Sequence, residues 1–260
     1  MAEHKHRTVR RADLLGMFWR SFFIQASWSY DRMQSLGFSF AMIPALRRLY
    51  PDPEEFAERL RFHMDYFNTQ PYFASFILGA AAKLEEERAA GRKTDADIAE
   101  VKKTLMAPLG ALGDSFCWGA LKPLAASVAV AALLVGAGWA PLLFLALYNI
   151  GHVALRAGLI VSGYGTGGDV VALISRYNFT QLARLFKVLS LSVIGCIAGM
   201  TAVWEPSFRP AGSLPGPLLS AGAFVITLGL GALLRMGASP VKLMFGLAAL
   251  CLGLALGGMI

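Results

Sequence analysis

Apolar residues fill most of the second half of the chain, whereas charged and apolar positions alternate through its first hundred residues. Residues 123–155 contain no Asp, Glu, Lys or Arg, and further apolar stretches follow at residues 188–204, 210–234 and 243–260. A membrane-spanning helix needs about 20 mostly apolar residues. Because Pro141 divides the first stretch into two once residues up to 163 are included, the pattern predicts about five membrane-spanning helices.

Amphipathic helices are predicted in the first third of the chain. Asp52 as N-cap and Pro53 at the first helical position mark a helix start, and apolar residues recur with helical spacing up to residue 67. The aromatic patch at residues 14–19, next to Arg20, favours a helix that lies on the inner membrane face. We therefore expect residues 1–66 to form an N-terminal amphipathic region at the cytoplasmic face of the membrane.

The middle of the chain, residues 67–122, combines short apolar segments with a charged stretch. Residues 72–82 are apolar but too short to span a bilayer, so we predict a re-entrant or buried hairpin element there. Residues 83–103 are predicted to form a charged cytoplasmic turn around Gly91, with Thr94 capping a second amphipathic helix. With residues 123–260 as the transmembrane region, the expected fold is an all-α membrane protein.

The composition supports a membrane protein and excludes a nucleic-acid-binding one. Hydrophobic residues make up 56% of the chain and charged residues 16%, below the roughly 25% typical of soluble domains. Lys and Arg lie in the gaps between apolar stretches rather than in one basic patch, as in the cytoplasmic flanks of membrane spans. The densest basic flank of the second half, with Arg176, Arg184 and Lys187, is placed inside, which puts the C-terminus outside.

Two short polar segments interrupt the apolar sequence near the middle of the chain: FNTQPY at residues 67–72 and GALGDSFCWG at residues 110–119. In the first, the side chains of Asn68, Thr69 and Gln70 both donate and accept hydrogen bonds, which suits a ligand with many hydroxyl groups. The alternative is an ordinary junction between a helix and a loop, with Asn68 and Thr69 as caps.

Asp114 is the most informative residue of the second segment. A carboxylate among apolar residues costs about 2.5 kcal/mol or more unless it finds a partner. It either pairs with Lys122 or Arg156 as a structural contact, or accepts hydroxyl groups of a sugar in a site with Ser115 and Trp118. Tight backbone turns are predicted at three glycines of this segment: Gly110, Gly113 and Gly119.

A third set of polar residues, Tyr148, Asn149, His152 and Arg156, falls on roughly one stripe of a predicted membrane helix. The stripe is either an interhelical hydrogen-bond seam or part of a ligand site. No pairing of a nucleophile with a base is recognisable, and no spacing typical of metal ligands occurs. The chain is therefore not expected to be an enzyme on its own or to hold a cofactor or a metal.

Several ordered motifs carry a family resemblance: QASWSYDRMQ at residues 25–34, FNTQPY at 67–72, GDS at 113–115, WG at 118–119 and YN at 148–149. With these motifs the chain resembles subunit IID of the mannose-family (mannose, fructose, sorbose) sugar phosphotransferase permeases over essentially its whole length. It departs from the family pattern at Gln70, where His is usual, and at Ala107, where Gly is usual.

The resemblance implies a division of labour in the bacterial cytoplasmic membrane. Subunit IID pairs with the membrane subunit IIC, as a trimer of heterodimers, to carry a hexose-type sugar. The cytoplasmic subunit IIB phosphorylates the sugar with phosphate relayed from phosphoenolpyruvate through IIA. The positions carried over as lining the sugar pathway are Asn68, Thr69, Gln70, Asp114 and Ser115. A structural or regulatory partner of IIC without sugar contacts, and an ion-driven transporter acting alone, remain as alternatives.

Overall fold

The computed structural model describes residues 7–169, 178–203 and 216–256. Within these ranges the chain is helical, and the backbone pairs as β-structure only in two isolated bridges that involve Met33. The helices are α1 (Arg11–Ser21), α2 (Ser35–Leu49), α3 (Pro53–Phe62), α4 (Ala74–Ala89), α5 (Asp95–Gly113), a π-helix (Asp114–Leu121), α6 (Lys122–Leu134), α7 (Ala140–Thr166), α8 (Phe179–Val203), α9 (Gly216–Arg235) and α10 (Pro240–Leu256).

The helix starts predicted from capping residues are confirmed. The Asp52 carboxylate accepts hydrogen bonds from the backbone N–H groups of Glu54 and Glu55, at 3.0 and 2.9 Å, in the first turn of α3. Thr94 and Asp97 form a reciprocal capping box at the start of α5. In both places short polar side chains satisfy backbone donors that a helix leaves open at its first turn.

The middle of the chain differs in two places from what its sequence suggests. The charged segment after residue 82 is not a turn but the second half of α4, and the turn begins only at residue 90, with Gly91 in the left-handed region at φ +72°. Gly110, Gly113 and Gly119 do not form turns either, because α5, the π-helix and α6 follow one another without a break across residue 122. Glu85 and Glu86 of α4 can be buried because each carboxylate accepts a hydrogen bond from a basic side chain.

Helix α4 is buried and packs closely along α7. Gly79 lies against the carbonyl group of Ile160, and Gly163 of α7 lies against the carbonyl group of Phe76. A β-carbon at either glycine would collide with backbone, so these two small residues let the helix backbones approach each other. Residues 74–82 therefore lie in the buried first half of α4, and the predicted re-entrant or buried hairpin stays a prediction.

The chain divides into two compact units, residues 1–190 and 191–260. Three helical stretches are long and apolar enough to cross a membrane: Asp95–Leu134, Ala140–Thr166 and Phe179–Ile197. Shorter apolar helices cover Phe224–Arg235 and Val241–Gly253. The predicted break at Pro141 is confirmed, because this residue lies in the first turn of α7. Arg176 and residues 205–209, on which the predicted topology partly depends, lie outside the described residues.

Candidate functional site

A polar cavity of about 740 Å³ lies in the first unit, where the segment before α4 meets α5 and the π-helix. We call it the polar cavity. Five of the predicted site residues line it together: Asn68, Thr69, Gln70, Asp114 and Trp118. The other lining residues are Gln25, Gln34, Tyr66, Pro71, Lys103, Met106, Ala107, Gly110 and Ala111. The two polar segments of the sequence thus meet at one site.

Gln34 and Thr69 hold the first polar segment in place. The Gln34 side chain donates to the Thr69 carbonyl group at 2.8 Å and accepts from the Thr69 N–H at 3.3 Å. The Thr69 hydroxyl donates to the backbone carbonyl of Met106 in α5 at 2.9 Å. The backbone beside Gln34 is in an unusual conformation, because Met33 has φ +53°. Thr69 is therefore tied to the fold on both sides.

Gln70 combines a structural and an open hydrogen-bonding group. Its side-chain oxygen accepts from the backbone N–H groups of Tyr72 and Phe73, at 2.8 and 3.0 Å, and so stabilises the turn that leads into α4. This fixes the orientation of the amide, and its Nε2 is left buried without a partner among the described residues. Gly113 allows α5 to pack closely against Gln70, because a β-carbon at residue 113 would lie only 2.6 Å from the β-carbon of Gln70.

The π-helix presents Asp114 and Trp118 to the cavity. A π-helix of eight residues is rare, and such segments are frequent at functional sites. The Asp114 carboxylate is exposed and pairs with neither Lys122 nor Arg156. Lys122 instead lies over the Trp118 ring, at 5.1 Å from its centre. The interpretation of Asp114 as half of a structural ion pair is therefore wrong.

Ser115, beside Asp114, does not line the polar cavity. Its hydroxyl accepts a hydrogen bond of 3.4 Å from the Lys187 ammonium group of α8. Both side chains are exposed. The structure therefore separates Ser115 from the other residues predicted for the site.

The predicted stripe on α7 lies beside the cavity and connects it to α1. Arg156 is buried, donates to the Ser21 carbonyl group at 2.7 Å, and lies between the rings of Phe22 and Tyr72 at 5.0 and 4.8 Å. His152 stacks on Tyr72 with a ring separation of 4.7 Å, and its Nε2 is 2.9 Å from the side chain of Asn149. Asn149 is exposed and donates to a carbonyl group of its own helix. The contacts of Arg156 favour the interpretation as a seam between helices.

A second polar region, not anticipated from the sequence, lies away from the cavity among α2, α3, α4 and α5. We call Tyr50, Arg59, His63, Glu85 and Asp95 the ionic cluster. The Glu85 carboxylate accepts from Arg59 at 2.6 Å, from His63 at 2.8 Å and from the Tyr50 hydroxyl at 2.7 Å. Arg59 also pairs with Asp95 at 2.8 Å. Its members come from four helices, so sequence periodicity gives no signal for it.

Burial and pairing set the charges in the ionic cluster. Burial lowers the pKa of His63 to about 4, although its hydrogen bond to Glu85 acts in the opposite direction. Burial alone would raise the pKa of Glu85, but the hydrogen bonds from His63 and Arg59 lower it. Glu85 is therefore ionised at neutral pH and His63 is neutral, so that its Nε2–H donates to the carboxylate.

The comparisons with known proteins point to one family. The model of the PTS system mannose/fructose/sorbose family IID component matches residues 8–206. The mannose-specific EIID component of Escherichia coli K12 is 38% identical over 193 residues, which cover 74% of this chain and 68% of that protein. The chain belongs to the IID components of this family. All the residues that line the polar cavity fall inside the matched region.

A further relative and two solved structures are also similar to this IID component. The sorbose-specific EIID component of Klebsiella pneumoniae is 32% identical over 194 residues, covering 74% of this chain and 71% of that protein. A cryo-EM structure of the mannose transporter ManYZ with microcin E492 aligns with a TM-score of 0.60 at 30% identity, over 98% of this chain and 99% of the other. A structure described as a membrane protein aligns with a TM-score of 0.72 at 31% identity, over 96% and 98% of the two chains. The IID component is thus a non-catalytic membrane subunit of the phosphotransferase system.

Proposed function

We propose that this IID component lines the path of a hexose-type sugar across the bacterial cytoplasmic membrane, jointly with a IIC subunit. In this proposal the two subunits assemble as a trimer of heterodimers. The cytoplasmic IIB subunit phosphorylates the sugar with phosphate relayed from phosphoenolpyruvate through IIA. The polar cavity is the part of the path that this chain supplies.

The observation that supports the proposal most directly is the set of open hydrogen-bonding groups in the cavity. The Asp114 carboxylate forms no ion pair with a described residue and can accept two sugar hydroxyl groups. The Asn68 amide is exposed at the same cavity, and Gln70 offers an unpartnered N–H. Trp118, whose side chain is 41% exposed, supplies an aromatic face against which the C–H groups of a sugar ring pack.

The cavity also has the size and the mixed lining of a small-molecule site. Its volume of about 740 Å³ lies within the range of roughly 300–1,000 Å³ that is common for ligand pockets. Thr69 and Gln70 are fixed by backbone hydrogen bonds, so the lining groups are held in place before a ligand arrives. A ligand then binds without the entropy cost of ordering these groups.

The substitution Asp114→Asn tests the proposal. We expect phosphoenolpyruvate-dependent uptake to fall by about tenfold or more, because a hydrogen bond to a charged group contributes about 1.5–3 kcal/mol. Uptake would be measured in cells that express the variant with its IIC partner, with co-purification of IIC as the test of assembly. Glu58→Gln, at an exposed position of α3 away from the cavity, is the matched control.

Unchanged uptake in Asp114→Asn would remove this residue from the sugar path. It would favour the alternative in which the chain supports IIC without contacting sugar. Uptake by this chain alone, driven by an ion gradient, would instead contradict the proposed dependence on IIC and IIB.

A further inference from the structure

The first unit contains a second, chemically different cavity, an apolar groove of about 420 Å³ between the segment that follows α1, helix α2 and the C-terminal end of α3. Its lining residues are Phe23, Ala26, Ser27, Leu36, Gly37, Ser39, Phe40, Ile43, Leu60 and Met64. Eight of these ten residues have no side-chain polar group, and the hydroxyl of Ser39 is already used, since it donates to the Ser35 carbonyl group at 3.0 Å. The groove therefore suits a hydrocarbon chain.

Exposed aromatic and aliphatic side chains surround this groove. Phe23 is 57% exposed and contacts Phe40 with a ring separation of 6.2 Å. Leu15 and Trp19 continue the apolar stripe along α1 towards its N-terminal end and are also exposed. Aromatic side chains of this kind are enriched where protein meets the headgroup level of a bilayer. The groove thus opens onto a surface that favours lipid.

The Arg20 side chain lies beside the groove and has no ion-pair partner among the described residues. The Arg20 guanidinium group lies over the Phe40 ring, 5.3 Å from its centre. Its Nε is buried and has no hydrogen-bond partner, and the side chain forms no ion pair with a described carboxylate.

We propose that this face binds one anionic phospholipid, with an acyl chain in the groove and the phosphate on Arg20. Guanidinium matches phosphate in geometry and charge, and the phosphate would pair a cation that the fold leaves unpaired. The headgroup must carry net negative charge, because the choline of a zwitterionic lipid would bring a second cation towards Arg20. The proposal rests on the membrane location of the chain and is independent of its role in sugar uptake.

The experiment compares phosphatidylglycerol with phosphatidylcholine of the same acyl chains. The full chain, purified with its IIC partner in detergent, is titrated with each lipid, and bound lipid is counted by native mass spectrometry. We expect phosphatidylglycerol to bind more tightly, and Arg20→Gln to weaken its binding about tenfold. Arg47→Gln is the matched control, because Arg47 also stacks on a ring, that of Phe56, but away from the groove.

A second variant, Ala26→Phe, fills the groove from an exposed position and keeps Arg20. It is expected to weaken phosphatidylglycerol binding as well, so the proposal can be tested even where Arg20→Gln fails to fold. Equal binding of the two lipids by the native protein would overturn the proposal. So would unchanged binding in both variants, or a structure of the assembled complex in which a segment of IIC fills the groove.

Discussion

The ionic cluster and the polar cavity are both polar regions of one helical unit, yet their side chains differ in how many hydrogen-bonding groups remain open. Glu85 is completely buried and its carboxylate already accepts hydrogen bonds from three side chains. Asp114 is exposed at a cavity and has no such partner among the described residues. A fully paired carboxylate such as Glu85 holds helices together, whereas an unpaired one such as Asp114 is free to bind a ligand.

The charged groups of the ionic cluster pair with one another, whereas polar groups of the polar cavity are open to solvent. Arg59, His63 and Glu85 are each no more than 1% exposed, so the charges of Arg59 and Glu85 depend on their mutual contact and on the hydrogen bond from neutral His63. In the cavity, Asn68 and Asp114 are exposed, so water can satisfy their polar groups. We therefore expect substitutions in the cluster to change stability first, and substitutions in the cavity to change uptake first.

The largest effect is expected for Glu85→Gln. Removal of this charge leaves Arg59 buried with only the half-exposed Asp95 as counter-ion, and breaking a buried ion pair costs about 3–5 kcal/mol. The free energy of unfolding in detergent is the measurement. Glu87→Gln on the same helix is the control, because Glu87 is partly exposed and lies 4.0 Å from Lys83, so its loss should cost less than about 1 kcal/mol. Equal stability of both variants would contradict the role given to the cluster.

The pH dependence of stability is the next largest effect. Folded His63 binds a proton only near pH 4, whereas the unfolded chain does so near pH 6.5. Between these values the unfolded state binds more protons, so the free energy of unfolding should fall as the pH is lowered from about 6.5 to 4. Glu85 adds a further loss below about pH 4.5, where unfolded carboxyl groups become protonated. In His63→Asn the loss between pH 6.5 and 4 should shrink, as judged by the thermal midpoint at each pH.

A smaller effect, on uptake rather than stability, is expected for Trp118→Ala. The ring is exposed to the cavity, and an aromatic contact of this kind contributes about 0.5–1.5 kcal/mol, so the apparent KM for sugar should rise by about two- to tenfold. Trp139→Ala is the control, since Trp139 is 59% exposed and does not line the cavity. Equal KM values in the two variants would exclude Trp118 from sugar binding.

The smallest effect is expected for Gln70→His, which restores the residue usual in the family. Histidine offers one acceptor where the Gln70 oxygen accepts two backbone hydrogen bonds, so the turn before α4 should lose one hydrogen bond, which costs about 1 kcal/mol. The new side chain titrates near neutral pH, and uptake should gain a pH dependence that the native chain lacks. Gln25→His, elsewhere in the cavity, is the control and should leave the stability unchanged. A flat pH profile of uptake in Gln70→His would separate this position from the sugar.

Much of the architecture could be predicted from local sequence. The starts of α3 and α5 follow from Asp52 and Thr94, because capping is decided within one turn of helix. The apolar stretches anticipate Ala140–Thr166 and Phe179–Ile197, which are long and apolar enough to span a membrane, because length and composition are local properties of the sequence. The start of the third such stretch, Asp95–Leu134, was predicted instead as an amphipathic helix. The polar segments around Asn68 and Asp114 also stood out, because hydrophilic side chains in an apolar context are costly without a purpose.

Tertiary structure decided the rest. Gly113 looked like a turn residue, yet it allows the end of α5 to approach Gln70 closely, a contact between residues far apart in the chain. Glu85 looked like part of a charged turn and is the centre of a buried cluster instead. Asp114 stays unpaired because Arg156 of α7 is bonded to Ser21 of α1, while Lys122 lies over the Trp118 ring. A local sequence sets helix ends and apolar faces, but long-range packing determines which polar groups keep a partner.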